Sequence, residues 1–366
     1  MPVQNYEQLN IGPNGDVTTT RTLLHEAIPL TGTIVSGTYG EFHSERNIKN
    51  YAHGMFQSVY DYPYLSSSAN HIFDVAVGYD NRSSLSASTG TPVQRSKKIN
   101  LYNQYAQVLL GYTGSTNEVE IFESDLNFGD NDNQMKDVFF LNFSRLITKD
   151  QIKEGSFSIS LGTGSWDTPF SNGADDAQMI LTLTDASAST NGDGTKNTNG
   201  GDYGVLYQDL GAGGTAHGII FYQAGLAIIT ASVFANGDGT VLDDFYKRGA
   251  NTWSPSGSWV SASISGSCDA IRHRLYSLSF TNSTEINSTI YFCRVPHNKY
   301  NYSSNPTYTS GSKIRVKSVA SDMPISYITT VGLYSENNEL LAVAKLSEPL
   351  RKDPTNEITL RVRLDY

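Results

Sequence analysis

The residues with potential chemistry are few, and their spacing decides against most of what they could do. Asn-Gly-Asp-Gly-Thr occurs at 191–195 and again at 236–240. Such oxygen-rich runs can contribute ligands to calcium. Neither copy keeps the Asp-x-Asp-x-Asp-Gly spacing or supplies a glutamate at position 12. Asn-Gly and Asp-Gly are ordinary turn dipeptides, so both copies read as turns. Asp125, Asp130 and Asp132 form an acidic, Asn-rich cluster, but Gly129 stands where a ligand is needed, and a solvated loop is the better reading. Seven histidines (25, 43, 53, 71, 217, 273 and 297) are scattered without a His-Glu-x-x-His zinc motif. No Gly-x-Ser-x-Gly lies between a strand and a helix. Gly162-Thr163-Gly164-Ser165 and Gly211-Ala212-Gly213-Gly214 lack the lysine of a phosphate loop. Glycoside hydrolysis needs two facing carboxylates, and linear spacing singles out no pair. Trp166, Trp253 and Trp259 are the remaining candidates. Trp253 and Trp259, in a Gly/Ser-rich stretch, could stack on a sugar ring. The competing reading is packing in a core or interface. The expectation is therefore no catalytic residue, no metal and no cofactor.

The elements that would position any such residue follow from composition. Of 366 residues only 17% are charged, against about 25% in an average domain. Gly (32), Tyr (22) and Phe (15) are abundant. Such an aromatic-rich chain is neither intrinsically disordered nor a coiled coil or helix bundle. A net charge of -10 argues against nucleic acid as a partner, because phosphate binding needs clustered Lys and Arg. Cys268 and Cys293 are too few for a structural zinc site and read as buried free thiols. The N-terminal residues show no secretory signal pattern. The uncharged run Gly218–Ala235 has the length of a membrane span. Gln223 and Gly225 interrupt it, so it reads as two strands, 218–222 and 226–234, with no membrane span.

Along the chain, the first 40 residues read as an extended polar arm. Ala52, Met55, Phe56 and Val59 recur at helical spacing and predict a helix. His71–Val77 is ambiguous between helix and strand. Lys97–Tyr112 is the best helix pattern, with Ile99, Tyr102, Tyr105, Ala106 and Leu109 on one face. Beyond Asp137 the pattern turns to strands: 138–143, 156–161 with Phe157, Ile159 and Leu161 on one face, 179–184 and 203–207. The tract 185–202 reads as a solvent loop. Residues 241–248 suggest a short helix, 251–266 a Gly/Ser-rich loop, and 270–276 a helical turn. Residues 278–280, 285–291 and 314–319 look extended. Near the C-terminus 325–333 and 340–346 alternate as strands, and Pro349 and Pro354 should break the sheet. Ile358, Leu360, Val362 and Leu364 share one face of a final strand. The fold class expected is α+β: a mixed or helical N-terminal segment, then a β-rich, sandwich-like, mostly antiparallel body, then a C-terminal strand module. The boundaries are 1–40, 41–135, 136–324 and 325–366.

Three C-terminal segments carry a resemblance. They are Tyr327-Ile328-Thr329-Thr330-Val331-Gly332-Leu333-Tyr334, then Leu340-Leu341-Ala342-Val343-Ala344-Lys345-Leu346-Ser347-Glu348-Pro349, then Leu360-Arg361-Val362-Arg363-Leu364. Together they resemble a module in tail-fibre and baseplate-associated proteins of contractile-tailed phages. Ile271-Arg272-His273-Arg274, Asn287 to Arg294, Asn301 to Tyr308, and Phe139, Leu141 and Asn142 with Ser144-Arg145 extend the likeness to virion proteins of marine, cyanophage-like myophages. In the N-terminal third, Tyr102 to Leu110 carries it. The resemblance implies a non-enzymatic structural part of a virion, in the tail, baseplate or neck, made in the host cytoplasm. Its partners would be other virion proteins and copies of itself. The alternative is a receptor- or glycan-binding module on the particle surface, with Trp253 and Trp259 as contacts. The interface residues expected are Tyr327, Val331, Leu333, Tyr334, Leu340, Val343, Leu360, Val362, Leu364 and Tyr366.

Overall fold

A computed structural model describes residues 8–12, 15–31, 47–87, 92–113, 117–125, 127–128, 132–164, 168–170, 179–189, 195–208, 214–234, 262–303, 309–310, 313–314, 319 and 321–366. In chain order the elements are β1 (Val17–Thr31), β2 (Ile48–Asn50), β3 (Gln57–Tyr60), β4 (His71–Tyr79), α1 (Pro92–Leu109), β5 (Asp137–Phe143) and the single turn α2 (Arg145–Thr148). Next come β6 (Gln151–Ile152), β7 (Ser158–Gly162), β8 (Ile180–Thr184), β9 (Thr195–Thr198), β10 (Gly201–Gln208), β11 (Ala216–Phe221), β12 (Leu226–Thr230) and α3 (Ile264–His273). Then follow β13 (Leu275–Val295), β14 (Thr309–Ser310), β15 (Lys313–Ile314), β16 (Ser326–Tyr334), β17 (Leu340–Lys352) and β18 (Ile358–Asp365). The protein is β-rich and its strand ladders are antiparallel. It divides into two compact units, Leu24–Thr284 and Met1–Leu23 with Glu285–Tyr366.

In the larger unit the hydrogen-bonded order is β13-β7-β8-β10-β11-β12-β5-β4-β3-β2. Val138 to Leu141 of β5 are buried without a break, so both faces of that strand are covered. On one face α1 stacks Tyr105 against Phe140 at 4.4 Å between ring centres. The helix comes so close to β4 that a Cβ on Gly78 would meet Lys98 O and Tyr102 N at 3.0 and 3.1 Å. On the other face Phe143 packs on Phe157 and Phe280, and Phe139 on Phe234. These contacts join strands far apart in the hydrogen-bonded order, so the sheet folds over its own core. The interior is close-packed: the void among Phe73, Val75, Leu141, Ile159, Leu161, Ile271, Arg272 and Leu275 measures only about 10 Å³.

Several expectations hold. α1 covers the best helix pattern and opens on Pro92, a residue favoured at the first helical position. The uncharged run forms the β11–β12 hairpin, closed through Gly225 at φ +64°, although the second strand ends at Thr230 and Ala231–Phe234 is a 3-10 turn. No helix among the described residues is long and apolar enough to cross a membrane.

Others are corrected. The helical spacing of Ala52, Met55, Phe56 and Val59 does not make a helix. Gly54 turns the chain at φ +59°, and Gln57–Tyr60 pairs with β2 on one side and β4 on the other. Ladder bonds and burial of Val59 outweigh the local period. The 185–202 tract is not a simple loop. Asp185 is buried, a 3-10 turn spans Ala186–Ser189, and β9 pairs with β10. The loop expected up to residue 266 stops earlier, because Ser263 caps α3 by accepting from the Gly266 N–H at 3.1 Å. Of the helical turn expected at 270–276, residues 270–273 are the end of α3 while Leu275 and Tyr276 already belong to β13, and the strands expected at 278–280 and 285–291 are one strand of 21 residues, β13.

In the smaller unit the second half of β13 pairs with β18, from Ser288↔Asp365 to Val295↔Ile358. Alternation holds along β18: Val362 is buried, Ile358, Leu360 and Leu364 are half-buried, and the residues between are exposed. β16 and β17 form a separate two-stranded sheet. Here Pro349 does not end the strand. The register shifts between Ile328 and Thr330, which leaves residues 346–349 out of the ladder. A proline inside that bulge removes no ladder hydrogen bond. Beyond it Leu350 to Lys352 pair again. Lys352 ends the strand buried, donating to His297 O (3.1 Å), Asn301 Oδ1 (2.7 Å) and Asp353 O (2.9 Å).

Candidate functional site: the C-terminal hairpin

The ten interface candidates fall into two groups. Leu360, Val362 and Leu364 lie on β18 opposite Cys293, Tyr291 and Thr289 of β13, turned toward covered surface. Tyr366 follows them, 72% exposed, with its hydroxyl 3.1 Å from Thr289 Oγ1. Tyr327, Val331, Leu333 and Tyr334 lie on β16, and Leu340 and Val343 on β17. Register places Val331 opposite Ala344 and Leu333 opposite Ala342, so these four share one face and are half-buried. Gly332 opposite Val343 belongs to the other face. There Val343 is 51% and Leu341 68% exposed, and Leu340 and Tyr327 are exposed as well. Leu341 and Leu350 are exposed apolar residues that the sequence reading did not single out. The signal was the adjacent pair Leu340-Leu341, since a strand with one covered face cannot bury two neighbouring leucines. Trp253 and Trp259 lie outside the described residues.

An apolar hairpin of this kind does no bond-making chemistry. It offers contact area. Scattered surface leucines are unremarkable; here the exposed apolar residues Tyr334, Leu340, Leu341 and Val343 gather at the turn end of the hairpin, and Tyr327 lies at its other end.

Polar clusters in the larger unit carry residue types that could do chemistry. On the β3–β4 pair, Asp74 Oδ1 accepts from Ser58 Oγ at 2.5 Å and contacts His71 Nε2 at 2.8 Å. The three residue types are those of a hydrolytic triad. Their order is not, because a triad needs the histidine between the hydroxyl and the carboxylate. Here the carboxylate takes both partners, which arranges a structural hydrogen-bond network that Tyr51 joins through Ser58 at 3.1 Å. Neighbouring rings of Tyr51, His53 and Phe56 cluster at about 5 Å centre to centre. Asp185 is the most perturbed carboxylate: burial pushes it up to about 6 despite donors from Gly155 N, Phe157 N and Tyr222 Oη. Burial lowers Lys98 to about 8, and its Nζ donates to Ala262 O at 2.9 Å. Burial also raises the Cys268 thiol, whose Sγ donates to Val75 O at 3.2 Å. Both cysteines are free; Cys268 is buried as expected, whereas Cys293 is only half-buried. A shallow groove of about 270 Å³ is lined by Thr163, Met179, Gln208, His217, Ser232 and Val233 among others, none of them a carboxylate or a lysine or arginine. Among the described residues no cluster of three His, Cys, Asp or Glu is placed to hold a metal.

Comparison of the chain with protein-family models, with curated proteins and with solved structures returned no match.

Proposed function

We propose that this chain is a non-enzymatic structural component of a contractile-tailed phage particle, acting in the tail, baseplate or neck through contacts with other virion proteins. The observation that carries the reading is the β16–β17 hairpin. It presents Tyr327, Leu340, Leu341 and Val343 to solvent in the same segment that bears the resemblance to tail and baseplate proteins. We also propose the finer fold description, an α+β chain whose body is sandwich-like. The packing of Phe143 on Phe157 and Phe280, which lie on or next to strands distant from β5 in the hydrogen-bonded order, supports it. The uncharged groove around His217 and Gln208 favours one second reading, a glycan contact on the particle surface, because a neutral polyol needs donors and acceptors without net charge.

The test is incorporation into particles. Deletion of Glu357–Tyr366 removes the strand paired with β13 and should abolish incorporation. Because that deletion also threatens folding, Leu341→Lys with Val343→Lys provides the cleaner variant: both side chains are exposed, so the protein folds while the contact face gains charge. Particles that carry the double variant at the normal level would refute the role of this face.

A further inference from the structure

The end of the larger unit's sheet formed by β2, β3 and β4 gathers aromatic rings around one carboxylate. Register sets Lys49 of β2 opposite Ser58 of β3, Ser58 opposite Asp74 of β4, and Tyr60 opposite His71. The alternate residue Gln57 is buried and donates to Asp269 of α3 at 2.6 Å, so α3 covers the opposite face. Asp74 uses only one oxygen inside the protein. Oδ1 accepts from Ser58 and His71 Nε2, while Oδ2 has no hydrogen-bond partner among the described residues and the side chain is 24% exposed. A carboxylate only accepts, so Oδ2 is matched by a donor. Rings flank Asp74 through both of its partners. Ser58 leads to Tyr51, whose ring lies beside those of His53 and Phe56. The His71 ring lies 5.5 Å from that of Tyr60, and Tyr60 lies 6.3 Å from Tyr64. Tyr64 is 37% exposed, and Tyr60 is half-buried. The β3–β4 loop that carries Tyr64 is pinned at its base, where Asn70 donates from N and Nδ2 to Asp61 at 2.6 and 2.8 Å. The ring is therefore held in place before any ligand arrives, which lowers the cost of binding.

We propose that this aromatic patch binds a neutral saccharide, with the C–H face of a sugar ring stacked on Tyr64 and Tyr60 and a sugar hydroxyl donating to Asp74 Oδ2. The inference shares its ligand class with the second reading above, places the contact at a different site, and rests on nothing in the hairpin. Three features of the patch select the ligand. Partly exposed tyrosines offer flat apolar faces together with hydroxyls, which suits a ligand with an apolar face and a polar rim. The oriented acceptor, Asp74 Oδ2, requires a ligand that donates. The fixed charges nearby balance: Lys49 Nζ lies over the Tyr51 ring at 4.8 Å and Lys97 Nζ donates to His53 O at 2.6 Å, against the carboxylates of Asp61 and Asp74. A quaternary ammonium would seek the same rings. Lys49 already occupies the Tyr51 face, and a second cation beside it would be repelled, so a neutral donor is the better match.

The experiment uses the full-length purified chain. The probes are neutral oligosaccharides of glucose, galactose and mannose, with tetramethylammonium as the cationic control. Saturation-transfer NMR identifies a sugar that binds, and titration calorimetry gives its Kd. Tyr64→Ala should raise that Kd by about fivefold to tenfold through loss of stacking, whereas Tyr64→Phe, which keeps the ring, should bind as wild type does. Asp74→Asn turns the free acceptor into a donor and should raise Kd by about tenfold or more. Asparagine keeps an acceptor for Ser58 and His71, so the circular dichroism spectrum should be unchanged. Failure of every sugar to bind overturns the inference, as does binding that neither Tyr64→Ala nor Asp74→Asn weakens. Tetramethylammonium that binds in place of the sugars, and is lost in Asp74→Asn, makes this a cation site and overturns it too. A sugar released by Gln208→Ala but held by both Tyr64→Ala and Asp74→Asn would leave the second reading standing at its own groove and remove this site, so the two failures are distinguishable.

Discussion

Asp185 gives the sharpest test of the core. Its carboxylate is fully buried between the loop before β7 and the end of β11. Oδ1 accepts from Phe157 N at 2.8 Å, and Oδ2 accepts from Gly155 N at 2.8 Å and Tyr222 Oη at 3.0 Å. These three donors hold the charged form, but loss of water outweighs them, and the group titrates at about 6 in place of 3.8. The folded state thus binds this proton more tightly than the unfolded chain. Between about pH 4 and 6 the native carboxyl is protonated while the unfolded one is not, so stability falls as pH rises through that window and is flat above it. The difference of about two pH units corresponds to roughly 3 kcal/mol. When protonated, the carboxyl can donate to Tyr222 Oη, which reverses that hydrogen bond without losing it. The assay is urea denaturation from pH 4 to 8 for wild type and Asp185→Asn. Asparagine keeps the acceptor for Phe157 N but cannot titrate. The wild-type-minus-variant stability should decline by about 2.4 kcal/mol between pH 4 and 7, most of the full difference. Parallel profiles over that range, or a difference that grows with pH, would refute the reasoning.

Two further outcomes follow from other buried groups. Tyr102→Phe removes a hydroxyl that donates to Met135 O (2.8 Å) and accepts from Phe122 N (3.1 Å); with both partners stranded, the cost should be about 1–3 kcal/mol in the same denaturation assay. Cys268, buried and with its thiol pKa raised, should resist a thiol reagent in the native protein, while half-buried Cys293 reacts slowly; both should react at once in denaturant, as peptide mapping of the labelled sites would show.

The sequence by itself determined the elements whose signal is local. Alternation of Ile358, Leu360, Val362 and Leu364 made β18 legible, because a strand with one covered face must alternate. The helical stripe of Tyr102, Tyr105, Ala106 and Leu109 made α1 legible, and Gly225 between two apolar runs made the β11–β12 hairpin legible. The β16–β17 hairpin was legible too, as a block of alternating apolar residues near the C-terminus. What only the tertiary structure decided depends on partners distant in the chain. Val59 reads as helical until β2 and β4 bracket it. Asp185 reads as the start of a polar loop until Gly155, Phe157 and Tyr222 converge on it from elsewhere in the sequence. Pro349 reads as a strand end until the register shift shows a bulge that spares its missing N–H. The candidate interface split for the same reason. Periodicity tells which residues share a face, but not what lies across from that face. The apolar side of β18, paired with β13, is buried or half-buried, while among the described residues β16 and β17 pair with each other and Leu341 and Val343 are exposed.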